Sequence, residues 1–322
     1  MTTSRQRAAV VYNPTKVDIR KLKKIVARAE SNAGWGKSHW FVTSETDSGQ
    51  GATRRALAVK ADVVMAAGGD GTVRAVAETL RGSSIPIALL PLGTGNLLAR
   101  NLNLPLGNLE HSISIAFTGA DRPIDLGISE ITRANGEIDE NAFLVMAGLG
   151  LDARMIALTD SKLKKAVGWL AYVDAGVRAL PSLKPVKLHY SVDEGPERQL
   201  SVHTILIGNC GALPGGILLI PDAKPDDGLL DIAALRPQGR LGWLRVWNKI
   251  TWENGVLRKS KAGRRIIDLS KDVKDVRYFQ CRSLRITADE PHAFQLDGDE
   301  FGEAVSVLNR VEHHGLTVKV PA

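Results

Sequence analysis

An apolar run, Val63-Val64-Met65-Ala66-Ala67, ends in Gly68-Gly69-Asp70-Gly71-Thr72 and passes through Val73-Arg74 into a helix-compatible stretch reaching Leu80. Glycines clustered round one carboxylate, between a strand and a helix, make a turn whose backbone N–H groups and helix dipole suit a phosphate. Glycine belongs where a chain must approach a ligand closely. Asp70, set among those amides, could hold a Mg²⁺ ion that bridges phosphates. The alternative is a tight turn with Asp70 as a helix cap. A second stretch, Pro91-Leu92-Gly93-Thr94-Gly95-Asn96, repeats the order of strand, glycine-rich turn and helix, with Arg100 one turn further on. Read alone, it is as well explained as a capping turn. Neither stretch is a generic phosphate motif: GxxxxGK[ST] is absent, and GxGxxG fails because Leu98 stands where the last glycine is required. Protein-kinase signatures are missing too.

Two acidic stretches lie downstream. Asp297 and Asp299 flank Gly298 after a strand-like run over 293–296. Such a pair can divide roles, one carboxylate accepting a substrate hydroxyl proton and the other supporting it. An ordinary Asp-Gly turn is the competing explanation. The loop Pro221-Asp222-Ala223-Lys224-Pro225-Asp226-Asp227-Gly228-Leu229-Leu230-Asp231 is rich in carboxylates and turn residues, which suits Mg²⁺ or Ca²⁺. A solvated acidic turn would look the same. Asn209 and Gly215-Gly216 precede this loop as cleft-lining or turn residues. His111, His313 and His314 show no spacing that points to a metal, and solvated or capping roles are expected.

The elements that must position these residues alternate in the first third. Strands are expected at 8–12, 39–43, 62–67 and 87–90, with helices at about 22–29, 52–60 and after Thr72. Alternation of this kind predicts a parallel sheet covered on both faces, with ligands at the carboxyl ends of its strands. From about Asp125 the pattern becomes β-rich, with strands at 186–192, 202–207, 229–234 and 284–287, which favours an antiparallel second domain. Helices are expected at 162–180 and 241–261. With 322 residues, one or two domains are expected.

Cys210 and Cys281 are the only cysteines, far apart, so neither a disulfide framework nor a structural zinc site is expected and a reducing cytosol fits. No apolar run is long enough to span a bilayer, and the N-terminus does not read as a signal peptide. The net charge of +7 is local: residues 236–265 hold nine cations against Glu253 alone. Trp243, Trp247, Ile250 and Trp252 fall in that segment, the composition of a helix lying on a membrane surface. An internally packed helix with a solvated basic face explains the same residues. No nucleic-acid-binding module surrounds the patch, so no nucleic acid is expected as a partner.

In their order, the two glycine loops, Tyr12-Asn13-Pro14, the 221–231 loop and Gln295-Leu296-Asp297-Gly298-Asp299 resemble the catalytic domain of diacylglycerol kinases. That family includes bacterial soluble lipid kinases and sphingosine kinases, with NAD kinases as more distant relatives. The resemblance implies an N-terminal parallel-sheet α/β domain over residues 1–128, which binds ATP, and a mainly antiparallel β-sandwich over 129–304. It implies an active site in the cleft between them and return of residues 305–322 to the first domain. Asn13, Thr46, Gly68, Gly69, Asp70, Gly71, Thr72, Val73, Arg74, Gly93, Thr94 and Asn96 would surround ATP. Asp70 would sit by the catalytic Mg²⁺, Arg100 would stabilise the transition state, and Asp297, supported by Asp299, would be the base. A structural Mg²⁺ would lie on the Asp227 side chain and the carbonyls of Lys224 and Leu229, with Asp125 joining through water. Arg74 stands where many relatives carry Asn, and Asn13-Pro14 continues with Thr15-Lys16 rather than Ser-Gly. The reaction implied is ATP- and Mg²⁺-dependent phosphorylation of the free hydroxyl of diacylglycerol or a related lipid, by a cytoplasmic protein peripherally associated with the membrane. A kinase of a soluble alcohol and a catalytically silent nucleotide-binding relative are the alternatives, and a homodimer is left open.

Overall fold

The structure, a computed structural model, describes residues 5–150, 185–212, 219–237, 242 and 276–322. The helix expected at 162–180, nearly all of the one at 241–261 with its tryptophans, and Gly215-Gly216 lie outside the described residues. The chain divides into two compact units. The first comprises residues 1–126, 225–227 and 312–322, and the second 127–224 and 228–311.

In the first unit, β1 (Ala8–Tyr12), β2 (His39–Val42), β3 (Val63–Gly68) and β4 (Ile87–Pro91) pair in parallel in the order β2-β1-β3-β4. The end of β14 (Asp299–Val320) adds to β4 through Val318 opposite Ile87. β1, β3 and β4 are apolar and almost wholly buried because both faces are covered, whereas the edge strand β2 is only half-buried. Ala8, Val10, Val63, Met65, Ala67, Ala88 and Leu90 share a core with Leu22 and Val26 of α1 (Ile19–Asn32) and Ile113, Ala116 and Phe117 of α5 (Leu109–Thr118). Full burial of a residue such as Leu22 is worth about 1.5–3 kcal/mol. On the other face, α2 (Gln50–Ala58) packs on β1 and α3 (Asp70–Leu80) on β3.

Helix α2 begins two residues before its expected start. Asp47 Oδ1 accepts from Gly49 N and Gly51 N, which supplies partners for amides that the helix itself leaves unsatisfied. It ends early because Lys60 adopts φ 55, a conformation a helix cannot contain.

In the second unit, β7 (Met146–Gly150), β10 (Thr204–Gly208), β11 (Leu230–Leu235) and β12 (Val276–Cys281) pair antiparallel in that order. On the other side of β7 lies β13 (Ser283–Leu296), which also pairs with β14 and β8 (Val186–Val192). β8 carries β9 (Arg198–Val202), and β5 (Ala120–Thr132) carries β6 (Ile138–Phe143). The strand expected at 202–207 is in fact two. β9 ends at Val202 and pairs with β8, whereas β10 starts at Thr204 and pairs with β7 and β11. The β-rich run Ser201-Val202-His203-Thr204-Ile205 hides that change of partner. Side chains two apart, such as Ile205 and Ile207, Leu188 and Tyr190, and Phe294 and Leu296, build the sandwich core, as the period of a strand requires.

A candidate phosphoryl-transfer site

Parallel strands end on one edge of their sheet, and the loops named for nucleotide binding all leave from that edge in the first unit. The β3 and β4 loops touch. Gly68 is paired with Pro91, and Leu92 N donates to Gly68 O at 3.2 Å. A Cβ at Gly93 would stand 2.7 Å from the Gly69 Cα, so glycine at 93 is what lets the backbones come this close. A Cβ at Gly95 would meet the Asp70 carboxylate at 2.5 Å.

Asp70 is a cap, but not of its own helix. Its Oδ2 accepts from Asn96 N at 2.9 Å and its Oδ1 from Leu97 N at 2.6 Å. The carboxylate therefore stitches the first loop to α4 (Leu97–Asn101). Asn96 takes φ 48 and folds its side chain back on the loop, accepting from Gly93 N and donating to Gly93 O. Arg100 Nε donates to Gly95 O at 2.7 Å, so this guanidinium is fixed to the same turn. The N-cap of α3 is Gly69, which has no side chain to bond the amides of the first turn. Amides at a helix N-terminus and the dipole behind them suit an anion.

The other candidates are distributed as follows. Asn13 closes β1, its N donating to Ala67 O, while its side chain accepts from Thr15 N and Thr15 Oγ1 in a local turn. Thr46 is exposed beside Ser44, in the loop that leads to Gly49. Gly49 sits against α3, because a Cβ there would lie 3.2 Å from Ala75 Cβ and 3.6 Å from Thr72 O. Thr94 is exposed, and Asp70, Gly71 and Arg74 are half-buried. The side chains of Thr72 and Val73 are buried in packing, so their backbone is what they can offer a ligand.

In the second unit, Asp297 and Gly298 are the two central residues of the β13–β14 hairpin, with φ 50 and 87 and with Leu296 opposite Asp299. Positive φ at both positions is the turn that matches strand twist, and Asp-Gly is a preferred sequence for it. The Asp297 side chain points inward. Its Oδ1 accepts from Val145 N and Met146 N and its Oδ2 from Leu144 N, at 2.8–3.0 Å. Three charge-assisted bonds hold this carboxylate in one orientation. Asp299 is exposed.

Asp227 and Lys224 are exposed and Leu229 is half-buried. The middle of the acidic loop is tied within the first unit: Asp226 pairs with Arg122 at 2.6 Å, and Pro225 O accepts from Asp125 N. Asp125 itself is fully buried and accepts from His313 and His314. Those histidines carried no metal or site signal in the sequence, because the backbone twist that aligns them is a property of the folded strand. Asp47 was missed as a structural cap, although an acidic residue just before Gly49 and a helix is a legible start signal. Of the two cysteines, Cys281 is pushed up from 9.0 to about 12, chiefly by burial and then by Asp193 and Asp231.

A parallel α/β unit with phosphate-type loops at its carboxyl edge, joined to an antiparallel sandwich, defines a kinase fold of the diacylglycerol kinase and NAD kinase type. The diacylglycerol kinase catalytic domain matches residues 7–128, and the YegS C-terminal NAD kinase beta sandwich-like domain matches residues 145–319. The diacylglycerol kinase of Bacillus subtilis (strain 168) is 30% identical over 246 residues, covering 75% of this chain and 77% of that one. That of Mycobacterium tuberculosis (strain ATCC 25618 / H37Rv) is 32% identical over 195 residues, 61% of this chain and 62% of the other. The chain belongs to the diacylglycerol kinase catalytic-domain family. The fold agrees with a diacylglycerol kinase structure from Bacillus anthracis str. Sterne, with a TM-score of 0.64 at 18% identity over 99% of this chain and 98% of that one. An NAD kinase from Archaeoglobus fulgidus in complex with ATP aligns with a TM-score of 0.51 at 13% identity, covering 98% of this chain and 94% of that one.

Proposed function

We propose that this protein is an ATP- and Mg²⁺-dependent lipid kinase that phosphorylates the free hydroxyl of diacylglycerol or a related lipid at a membrane surface. Its supports are family membership and, above all, the stitching of the two glycine loops by Asp70. Phosphoryl transfer depends mainly on positioning and on neutralising phosphate charge. The first turn of α3 and the backbone of 68–74 bind and orient the phosphates, with Asn13, Thr46, Thr94 and Asn96 round the nucleotide. Arg100, held by Gly95 O, presents its guanidinium at the same turn and lowers the cost of charge that builds up during transfer.

Asp70 offers hard oxygen donors at a half-buried position, which fits Mg²⁺, and the ion when bound offsets phosphate charge. The oxygens of Asp227, of the Lys224 and Leu229 carbonyls and, through water, of Asp125 suit a second, structural Mg²⁺ for the same chemical reason. Asp297 accepts the hydroxyl proton, with Asp299 in support. The amides of Leu144, Val145 and Met146 hold its carboxylate in one orientation. The Trp and Lys/Arg segment at 241–261 is proposed to bring the protein to the lipid, peripherally and from the cytoplasm.

The deciding experiment is ATP turnover against diacylglycerol, monoacylglycerol and sphingosine in mixed micelles, beside NAD and small soluble alcohols. Turnover with a lipid alone is the expected result. Turnover only with a soluble alcohol, or ATP binding without transfer to any acceptor, would overturn the lipid assignment.

A further inference from the structure

Residues 312–315 interrupt the regular course of β14. In a regular strand neighbouring side chains point to opposite faces, so His313 and His314 should diverge. His314 instead takes φ 54, and the two imidazoles stack with centroids 3.7 Å apart at 28°. Both rings thereby lie on the side of Asp125, whose side chain is 0% exposed. His313 Nδ1 lies 2.8 Å from Asp125 Oδ1, and His314 N donates to the same oxygen at 2.9 Å. One ligand atom from each of the three side chains lies within 4.8 Å of the other two.

The irregularity is held from several directions. Arg81 Nε pairs with Glu312 Oε2 at 2.6 Å, and Gly82 N donates to Gly315 O. A Cβ at Gly315 would come 3.2 Å from Leu126 Cβ, so the bend is pressed against the residue that follows Asp125. Asp125 N donates to Pro225 O at 2.6 Å. A buried carboxylate is thus fixed in place while the imidazole of His313, 53% exposed, remains open to solvent.

We propose that Asp125, His313 and His314 form a binding site for a divalent transition-metal ion of the Zn²⁺ class. Two imidazoles and one carboxylate are an open, three-ligand set that leaves a further position to water. Imidazole nitrogen selects Zn²⁺, Co²⁺ or Ni²⁺, whereas Mg²⁺ takes oxygen donors, so this site differs in metal class from the oxygen set on the 221–231 loop, with which it shares Asp125. A tetrahedral ion at about 2.0–2.2 Å from its ligands holds them roughly 3.3–3.6 Å apart, so His313 Nδ1 and Asp125 Oδ1 need separate only slightly. The ion would clip the end of β14 to β5 and stabilise the folded chain alone, raising its melting temperature with concentration. Nothing in this requires the phosphoryl-transfer activity.

The test uses the full chain, stripped with a chelator and titrated with Co²⁺ alone. With excess Mg²⁺ present to hold the oxygen-donor sites, a saturable d–d absorption band with a single Co²⁺ per chain and a rise in Tm are expected. His313→Ala and His314→Ala, both at exposed positions, should remain folded by circular dichroism and bind Co²⁺ about tenfold or more weakly. His111→Ala, on α5, should behave as wild type. A band that never saturates, or one unchanged in both β14 variants, would show that the cluster is a hydrogen-bonded network and overturn the proposal.

Discussion

Asp70 in the first unit and Asp297 in the second commit their carboxylates to backbone amides far away in sequence, but in different settings. Asp70 is half-buried and joins two glycine loops whose backbones touch. Asp297 is 7% exposed and sits in a hairpin turn, its oxygens on the amides of 144–146. Their glycines differ as well. Gly93 is needed because another backbone occupies the space a side chain would fill, whereas Gly298 has nothing within 4 Å and is needed for its φ of 87. A glycine-and-aspartate motif can therefore mean close approach at one site and handedness at another. The first kind brings two loop backbones together, and the second builds a rigid turn.

That contrast can be tested from its strongest consequence downward. Asp70→Ala should lower kcat by about 10²–10⁴-fold, a loss of the size expected for a positioned charged group. The circular dichroism spectrum should stay native, and wild-type turnover would remove Asp70 from the machinery. Asp297→Asn should cost about 2–4 kcal/mol of stability, because an amide NH₂ would face a backbone N–H in a buried place. Urea unfolding measures this, and an unchanged midpoint would mean that the three amide bonds do not hold in solution. Gly93→Ala should cost about 1–3 kcal/mol through overpacking against Gly69 and weaken ATP binding. Gly298→Ala should cost only about 1 kcal/mol, the penalty of a left-handed alanine, with ATP affinity unchanged. Equal losses at the two glycines would erase the distinction between them. The smallest effect concerns Cys281: with its thiol pushed up to about 12, it should resist iodoacetamide at pH 8 in the native state and react in urea.

The alternating strands and helices of the first unit were legible because burial on both faces writes continuous apolar runs, and each loop carries its own turn residues. The touching of the 68–72 and 91–96 loops was also foreseeable, since parallel strands deliver their ends to one edge. Other features were not. The Asp70 carboxylate caps α4 rather than α3, a choice made by where a neighbouring strand ends. The run at 201–205 gives no sign that its two halves pair with different strands, because β propensity carries no information about partners. The inward turn of Asp297 depends on amides of residues 144–146, which only the folded sandwich places beneath it.

From its residues alone this chain determines the alternating strands and helices of its first third, where glycine must stand, and the family to which it belongs. These follow from periodicity, backbone sterics and motif order, all of which act along the chain. Tertiary structure decided which amides each carboxylate would hold, and it brought His313 and His314 to Asp125. Such pairings join residues up to 189 positions apart, and hydrogen bonds and packing are short-ranged in space while indifferent to distance along the sequence.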